Sequence, residues 1–239
     1  MEGNQKKLLP SWTPHGKALL AFWKGKLDCS LGITIEGEST DWMPIDTYFR
    51  TIEEMPELEA YALSLCTGNT LDVGAGAGAH SLLLQGEGKK VVALDIAPEA
   101  IEIMKARGIK QTICSDFLSL QTPQLFDTLL FLMNGIGIAG NLEGLKKYLI
   151  HANELTKPNG QILLDSSDLR KTDTKLSAKE SYFGIINYQL SFEKQKGEPY
   201  QWLYIDPDLL NQTASNTGWY CQIIFENEDG SYLARLIKK

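Results

Sequence analysis

The stretch "TLDVGAGAGAHSLLL", residues 70–84, places glycine at positions 74, 76 and 78 and an aspartate two residues ahead of the first. The residues leading into it, "NTLDVG" (69–74), form a short apolar run of strand character. Those leading out, "AHSLLLQGEG" (79–88), carry a helical pattern that closes on glycine. Glycine reaches positive φ and omits the Cβ where another group must come close to the main chain. A helix that begins just after such a loop offers unpaired N–H groups and a partial positive charge, suited to a carboxylate or phosphate. Two readings compete: a tight turn kept for backbone geometry, or a place where a ligand lies against the backbone. The loop alone does not decide between them.

The same rhythm continues outward. "KKVVALDI" (89–96) reads as a second strand, and "PEAIEIMKARG" (98–108) as a helix with Pro98 at its start and Gly108 past its end. "KQTICSDF" (110–117) is a short third strand. "FDTLLFLM" (126–133) is continuously apolar, as a strand buried on both faces should be. "NLEGLKKYLIHANELTKPNG" (141–160) spaces its aliphatics for a helix and stops on a Pro-Asn-Gly turn, and "QILLDSSD" (161–168) is a fifth strand. This alternation predicts an α/β fold, a doubly wound, mostly parallel sheet with right-handed crossovers and helices on both faces.

Both ends depart from the rhythm. "YFGIINYQLSFEKQKGEPYQWLYID" (182–206) holds two alternating aromatic-rich runs about a Lys-Gly-Glu-Pro turn, a hairpin inserted at about 181–206. "PDLLNQTASNTG" (207–218) reads as a helix, and "WYCQIIFENEDGSYLARLIKK" (219–239) as strand, Asp-Gly turn, strand. Upstream, "MPELEAYALSLCTG" (55–68) and "PHGKALLAFWKGK" (14–26) read as helices. Residues 1–55 are expected to form an N-terminal cap over a main domain spanning 56–239.

Composition bounds the function. The chain has 239 residues, enough for one large domain with a full hydrophobic core. Its 23 basic and 30 acidic residues give a net charge of −7, and the pI is near 5.1, which argues against nucleic acid as a partner. The four cysteines are scattered without a CxxC pair and there are three histidines, so no metal site is expected. Cys66 and Cys114 read as small buried side chains. "MEGNQKKLLPSW" lacks a signal-peptide core and no long apolar run occurs, so the expected setting is cytoplasmic and off the membrane.

In an open parallel sheet, ligands bind beyond the carboxyl ends of the strands where strand order reverses. Asp95 ends the second strand 17 residues after Gly78, near the spacing at which an acid meets ribose hydroxyls. Asp116 and Phe117 follow the third strand and suit an adenine amino group and ring face. Asn134 and Gly135 end the fourth. Polar or small residues at all four strand ends favour the ligand reading of the glycine loop.

"LDVGAGAG" resembles motif I of the class I S-adenosylmethionine-dependent methyltransferases, with "VVALDIAP", "CSDF" and "FDTLLFLMNGIG" in the places of the motifs that follow. The resemblance covers roughly residues 57 to 165 and extends to the C-terminal hairpin. It implies a Rossmann-like fold with a seven-stranded sheet ending in an antiparallel β-hairpin, with S-adenosylmethionine as cofactor. It also implies roles. Asp72, Gly74, Ala75, Gly76 and Gly78 form the loop around the methionine moiety, with Asp72 near its ammonium. Asp95 holds the ribose, Ile96 lies against the adenine, and Asp116 and Phe117 read the adenine edge. Asn134 and Gly135 line the passage to the acceptor. Arg50 is a candidate partner for the cofactor carboxylate.

Direct displacement from a sulfonium needs alignment and exclusion of water, and only a hydroxyl acceptor calls for a base. Candidate bases are His80 and Asp165, with His15, His151 and Tyr182 behind them, and Asp168 joins Asp165 as a candidate contact to the acceptor. His80 has the competing reading of a solvent-facing residue at a helix start. Trp12, Trp23, Trp42, Tyr48, Phe49, Tyr182, Phe183 and Trp202 are candidate walls of an acceptor pocket. "NGIG" stands where methyltransferases of base or glutamine amino groups resemble "[DN]PP[YFW]", which disfavours that subclass. A small-molecule acceptor leads and a protein side chain follows. The alternatives are a non-catalytic sensor or scaffold that binds S-adenosylmethionine, and an NAD(P)-dependent oxidoreductase. The latter predicts G-x-G-x-x-G after the first strand, where the glycines here recur as G-x-G-x-G, and a Tyr-x-x-x-Lys pair, which does not occur in the chain.

Overall fold

The computed structural model describes residues 10–36, 38–172 and 181–239. In chain order the N-terminal part supplies α1 (Thr13–Trp23), β1 (Ser30–Ile35), β2 (Thr40–Pro44) and α2 (Glu57–Ser64). Then come β3 (Asn69–Val73), α3 (Ala79–Gly86), β4 (Lys90–Asp95), α4 (Pro98–Ala106), β5 (Thr112–Cys114), β6 (Phe126–Phe131), α5 (Leu142–Leu155) and β7 (Thr156–Ser167). The remainder is β8 (Ile185–Phe192), β9 (Gln195–Lys196), β10 (Tyr200–Leu203), α6 (Pro207–Asn216), β11 (Trp219–Glu226) and β12 (Ser231–Lys238).

The larger sheet has seven strands in the order β11-β12-β7-β6-β3-β4-β5. β3 to β7 are parallel to their neighbours, and β12 turns antiparallel on β7 with β11 antiparallel on β12. Leu129 and Leu130 point to opposite faces of β6 and are both fully buried, which is why that strand is apolar without alternation. Trp219 is enclosed in the same core and its indole N–H donates to the Leu149 carbonyl of α5 at 3.0 Å. The Pro-Asn-Gly turn is an excursion at the start of β7: pairing with β6 jumps from Thr156 to Gln161, and Asn159 adopts φ 61°. Order reverses at β3, which lies between β4 and β6, so the crevice at its carboxyl end is the glycine loop.

The segments expected as a cap and as an inserted hairpin share a second, antiparallel sheet of order β10-β8-β1-β2, with β9 on β8. β1 pairs with β8 from Gly32 opposite Ser191 to Ile35 opposite Tyr188. Neither β1 nor β2 is legible as a strand in the sequence. This sheet and α1 cover the loop: Ala75 and Ala77 are buried in one cluster with Leu31, Ile45, Leu190 and Phe192. No helix among the described residues is long and apolar enough to cross a membrane. Cys66 is buried as expected, but Cys114 is exposed, on β5 at the edge of the sheet.

Candidate functional site

A cavity of about 510 Å³ opens between the carboxyl edge of the large sheet and the inner face of the small one. Gly74, Gly76 and Gly78 all have positive φ, at 74°, 55° and 81°, yet only Gly74 lines the cavity. A Cβ built on Gly74 would meet nothing within 4 Å, so its side chain is missing in favour of open space. At Gly76 the same test meets the Tyr48 ring at 3.5 Å. At Gly78 it meets Ile109 and Met104, so that glycine serves the packing of α3 beside α4 rather than a ligand, correcting the sequence reading.

Asp95 braces the loop. One carboxylate oxygen accepts the Gly76 N–H and the other the Ala97 N–H, each at 2.8 Å. Asp72, almost wholly buried, accepts the Ser81 hydroxyl at 2.6 Å, and burial raises its pKa against the pull of His80 and Ser81. Ile96 is 41% exposed at the rim and is not core. Asp116 is exposed, lines the cavity and caps the short turn after β5 by accepting the Leu118 N–H at 2.9 Å. Phe117 touches the cavity but is mostly core, packed against Phe131, Tyr148 and His151.

His80 does not face solvent. It is buried, with Nε2 at 2.7 Å from Glu59 of α2, whose two oxygens each lie 3.0 Å from Arg50 Nη2. Burial works to lower the His80 pKa, but the Glu59 hydrogen bond and the Asp72 and Glu59 charges outweigh it, and the net direction is up. Burial works to raise Glu59, and His80 and Arg50 hold it below the usual carboxylate range. The product is a buried Arg50–Glu59–His80 network at the cavity wall, in which the imidazole is tied to Glu59 and its protonated form is favoured. Glu59, its centre, was missed by sequence reasoning; its only signal was an acid in a helix facing inward.

The turn after β6 holds two consecutive left-handed residues, Met133 at φ 61° and Asn134 at φ 52°. Strain of this kind persists only where surroundings over-determine it. Here the Asn134 N–H donates to Asp165 at 2.8 Å, its side-chain amide donates to the Leu203 carbonyl at 3.2 Å, and its side-chain oxygen accepts the Ser166 hydroxyl at 2.9 Å. Asp165 therefore sits beneath the turn and does not line the cavity, which corrects its reading as a base facing the acceptor. Burial, reinforced by the Glu59 charge and opposed by the Asn134 N–H, pushes its carboxyl up to about 7.

A family model described as a methyltransferase domain matches residues 67–206. The chain belongs to the methyltransferase family. A solved S-adenosylmethionine-dependent methyltransferase from Bacteroides fragilis, in complex with S-adenosyl-L-homocysteine, is similar to it at 37% identity. That match covers 97% of this chain and 98% of that one, with a TM-score of 0.87. The CcbJ methyltransferase of Streptomyces caelestis is 13% identical over 78% of this chain and 94% of its own, TM-score 0.61, a likeness of fold. The chain is thus a class I methyltransferase that uses S-adenosylmethionine, which disposes of the oxidoreductase and sensor readings.

The remaining candidates divide by position. In this methyltransferase Trp12, Tyr48 and Trp202 line the cavity, whereas Trp23, Trp42, Phe49, Tyr182 and Phe183 do not. Trp42 points outward from edge strand β2 and is 59% exposed. Tyr182 is tied to Asp206 by a hydrogen bond of 2.7 Å, and Asp168 pairs with Arg170 at 2.8 Å, both away from the cavity. His151 packs on Phe117 at α5, outside it. Tyr188, Tyr200 and Tyr204 line it although none was singled out in the sequence. Among the described residues, no group of three or more His, Cys, Asp or Glu is placed to hold a metal.

Proposed function

We propose that this methyltransferase acts on a small molecule enclosed under the β1–β2–β8–β10 sheet. The observation that carries the reading is that roof: one cavity of about 510 Å³ has to receive donor and acceptor together, and a single small ligand commonly fills a site of this size. A macromolecular acceptor would have to insert a single side chain or base beneath it. We place the acceptor-covering role on residues 10–55 and the 181–206 insertion, and the cofactor role on the rest.

The residues present fit the cofactor, because the Gly74 backbone faces space that a Cβ would occupy and Ile96 presents an otherwise unexplained exposed apolar face. When bound, S-adenosylmethionine supplies a methyl group already activated on sulfur. Asp95 is assigned to the ribose hydroxyls: each of its oxygens accepts one backbone N–H and keeps further acceptor capacity. Ile96, Asp116 and Phe117 are assigned to the adenine, and Asp72, Gly74 and Ala75 to the methionine end. Gly76 acts through its bond to Asp95. Arg50 is assigned to the carboxylate through Nη1, which makes no hydrogen bond among the described residues, its Nε and Nη2 being used by Thr47 and Glu59. Asn134 and Gly135 shape the passage to the acceptor. A reducing, cytoplasmic setting belongs to the same proposal, supported by four unpaired cysteines.

Incubating the protein with radiolabelled S-adenosylmethionine and a cell extract split by size tests this reading. Label is expected in the small-molecule fraction; label carried only by protein or nucleic acid would overturn it.

A further inference from the structure

We propose that the acceptor atom is a nitrogen, and that the wall built by β8 and β10 is a cation-recognising cage for the ammonium in which the reaction ends. This rests on the small-molecule reading above and narrows it to amines. Residues 200, 202 and 204 alternate along one strand direction, so Tyr200, Trp202 and Tyr204 present one face, and all three line the cavity. Tyr188 of β8 lies directly opposite Tyr200 in the register and joins them. The Tyr188 and Tyr200 rings stand at 66° with centroids 6.3 Å apart, and Tyr200 and Trp202 at 80° and 6.1 Å. Rings set nearly at right angles form the sides of a box rather than a stack, and ring faces attract a cation placed between them. The box is held in place: a Cβ on Gly137 would strike the Trp202 ring, so that glycine exists to let the indole lie on the turn after β6. The Tyr188 and Tyr204 hydroxyls meet at 3.0 Å.

Charge separates the two halves of the cavity. Its ionisable acids and bases come from the rim and the N-terminal segment: Asp72, Asp95, Asp116, Arg50, His15 and His80. β8 and β10 contribute none, and burial holds the hydroxyls of Tyr188, Tyr200 and Tyr204 above their usual pKa, so they stay neutral. On the aromatic wall itself the described residues supply no base: the carboxylates that line the cavity, Asp72, Asp95 and Asp116, belong to the rim. His80 Nε2 is bonded to Glu59, Asp165 lies beneath the turn, and the His15 Nε2 is buried. A hydroxyl acceptor has to lose its proton at attack and needs such a base. An amine only has to be neutral beforehand. Its lone pair forms the nitrogen–carbon bond as the carbon–sulfur pair leaves with the thioether, and the positive charge passes from sulfur to nitrogen. Any proton on the new ammonium then leaves to water. The cage thus stabilises charge where it develops.

Calorimetry on the protein saturated with S-adenosylhomocysteine tests this with choline and its uncharged isostere 3,3-dimethylbutan-1-ol. Choline is expected to bind about ten-fold more tightly, the scale of a desolvated cation–π contact. Trp202→Leu and Tyr200→Leu should remove that preference and Trp202→Phe should keep it, with unchanged S-adenosylhomocysteine affinity showing that each variant is folded. Absence of choline binding, equal affinity of the two probes, or a preference that survives both leucine variants overturns the inference. In the labelling experiment, methyl on a small-molecule nitrogen supports it, and methyl on small-molecule oxygen, sulfur or carbon overturns it while leaving the small-molecule reading intact.

Discussion

Gly74 and Gly78 look alike in sequence and differ in what surrounds them. Gly74→Ala adds a methyl group to open cavity at φ 74°, so the expected cost to stability is about 1 kcal/mol of backbone strain. The methyl group occupies ligand space, and affinity for S-adenosylhomocysteine should fall at least about ten-fold. Gly78→Ala drives the same group into Ile109 and Met104 and should cost about 2–4 kcal/mol in urea unfolding, strain and overpacking together. Equal effects of the two on binding and on stability would contradict the division of roles. Asp165 supplies a second test at this scale. Its folded value of about 7 against an ordinary 3.8 means that the folded protein keeps a proton which the unfolded chain releases between those values. Its contribution to stability is complete below pH ~4, is lost as pH rises through about 7, and is absent above that. Asp165→Asn should flatten the fall in stability across this window, measured by denaturant titration at several pH values; an unchanged slope would count against the assignment.

Between elements, two linkages hold the site. Glu59 ties α2 to the N-terminal segment through Arg50 and to the start of α3 through His80. Removing one charge of a buried network leaves the others uncompensated, so Glu59→Gln should cost about 3 kcal/mol. It should also lower the His80 pKa read by NMR, since Glu59 is the partner that keeps it high. A variant of unaltered stability with His80 unmoved would show the network to be inert. The second linkage is Trp202 against the turn at Gly137. Gly137→Ala pushes the indole off that turn while touching none of the residues assigned to the cofactor. Acceptor KM should therefore rise with S-adenosylhomocysteine affinity unchanged; a parallel loss of both would place Trp202 in the cofactor site.

At the scale of the whole molecule, the small sheet and the glycine loop share one buried cluster, so a ligand at the rim tightens elements distant in sequence. S-adenosylhomocysteine at about 100 times its Kd should add about 2.7 kcal/mol of stability. Hydrogen exchange should slow in β1 and β8 as well as in residues 70–80, while the hairpin β11–β12, on the far edge of the large sheet, stays unchanged. Protection confined to the loop would mean that the roof is not coupled to the site. The large sheet was legible because its information is local: the period of each helix, the apolar run of a doubly buried strand such as "FDTLLFLM", and glycines and acids at strand ends are all written within a few residues. For that reason the sequence by itself placed the ligand rim at the glycine loop, and the resemblance of its motifs to a known family implied the cofactor class. The rest lies in contacts between distant segments. β1 is recognisable only beside β8, some 155 residues later, Glu59 matters only where it meets Arg50 and His80, and Tyr188 becomes a wall only opposite Tyr200. Tertiary structure alone decided which glycine faces open cavity and which faces α4, because both have the same backbone sign and differ only in the atoms that packing brings to the place of the missing Cβ.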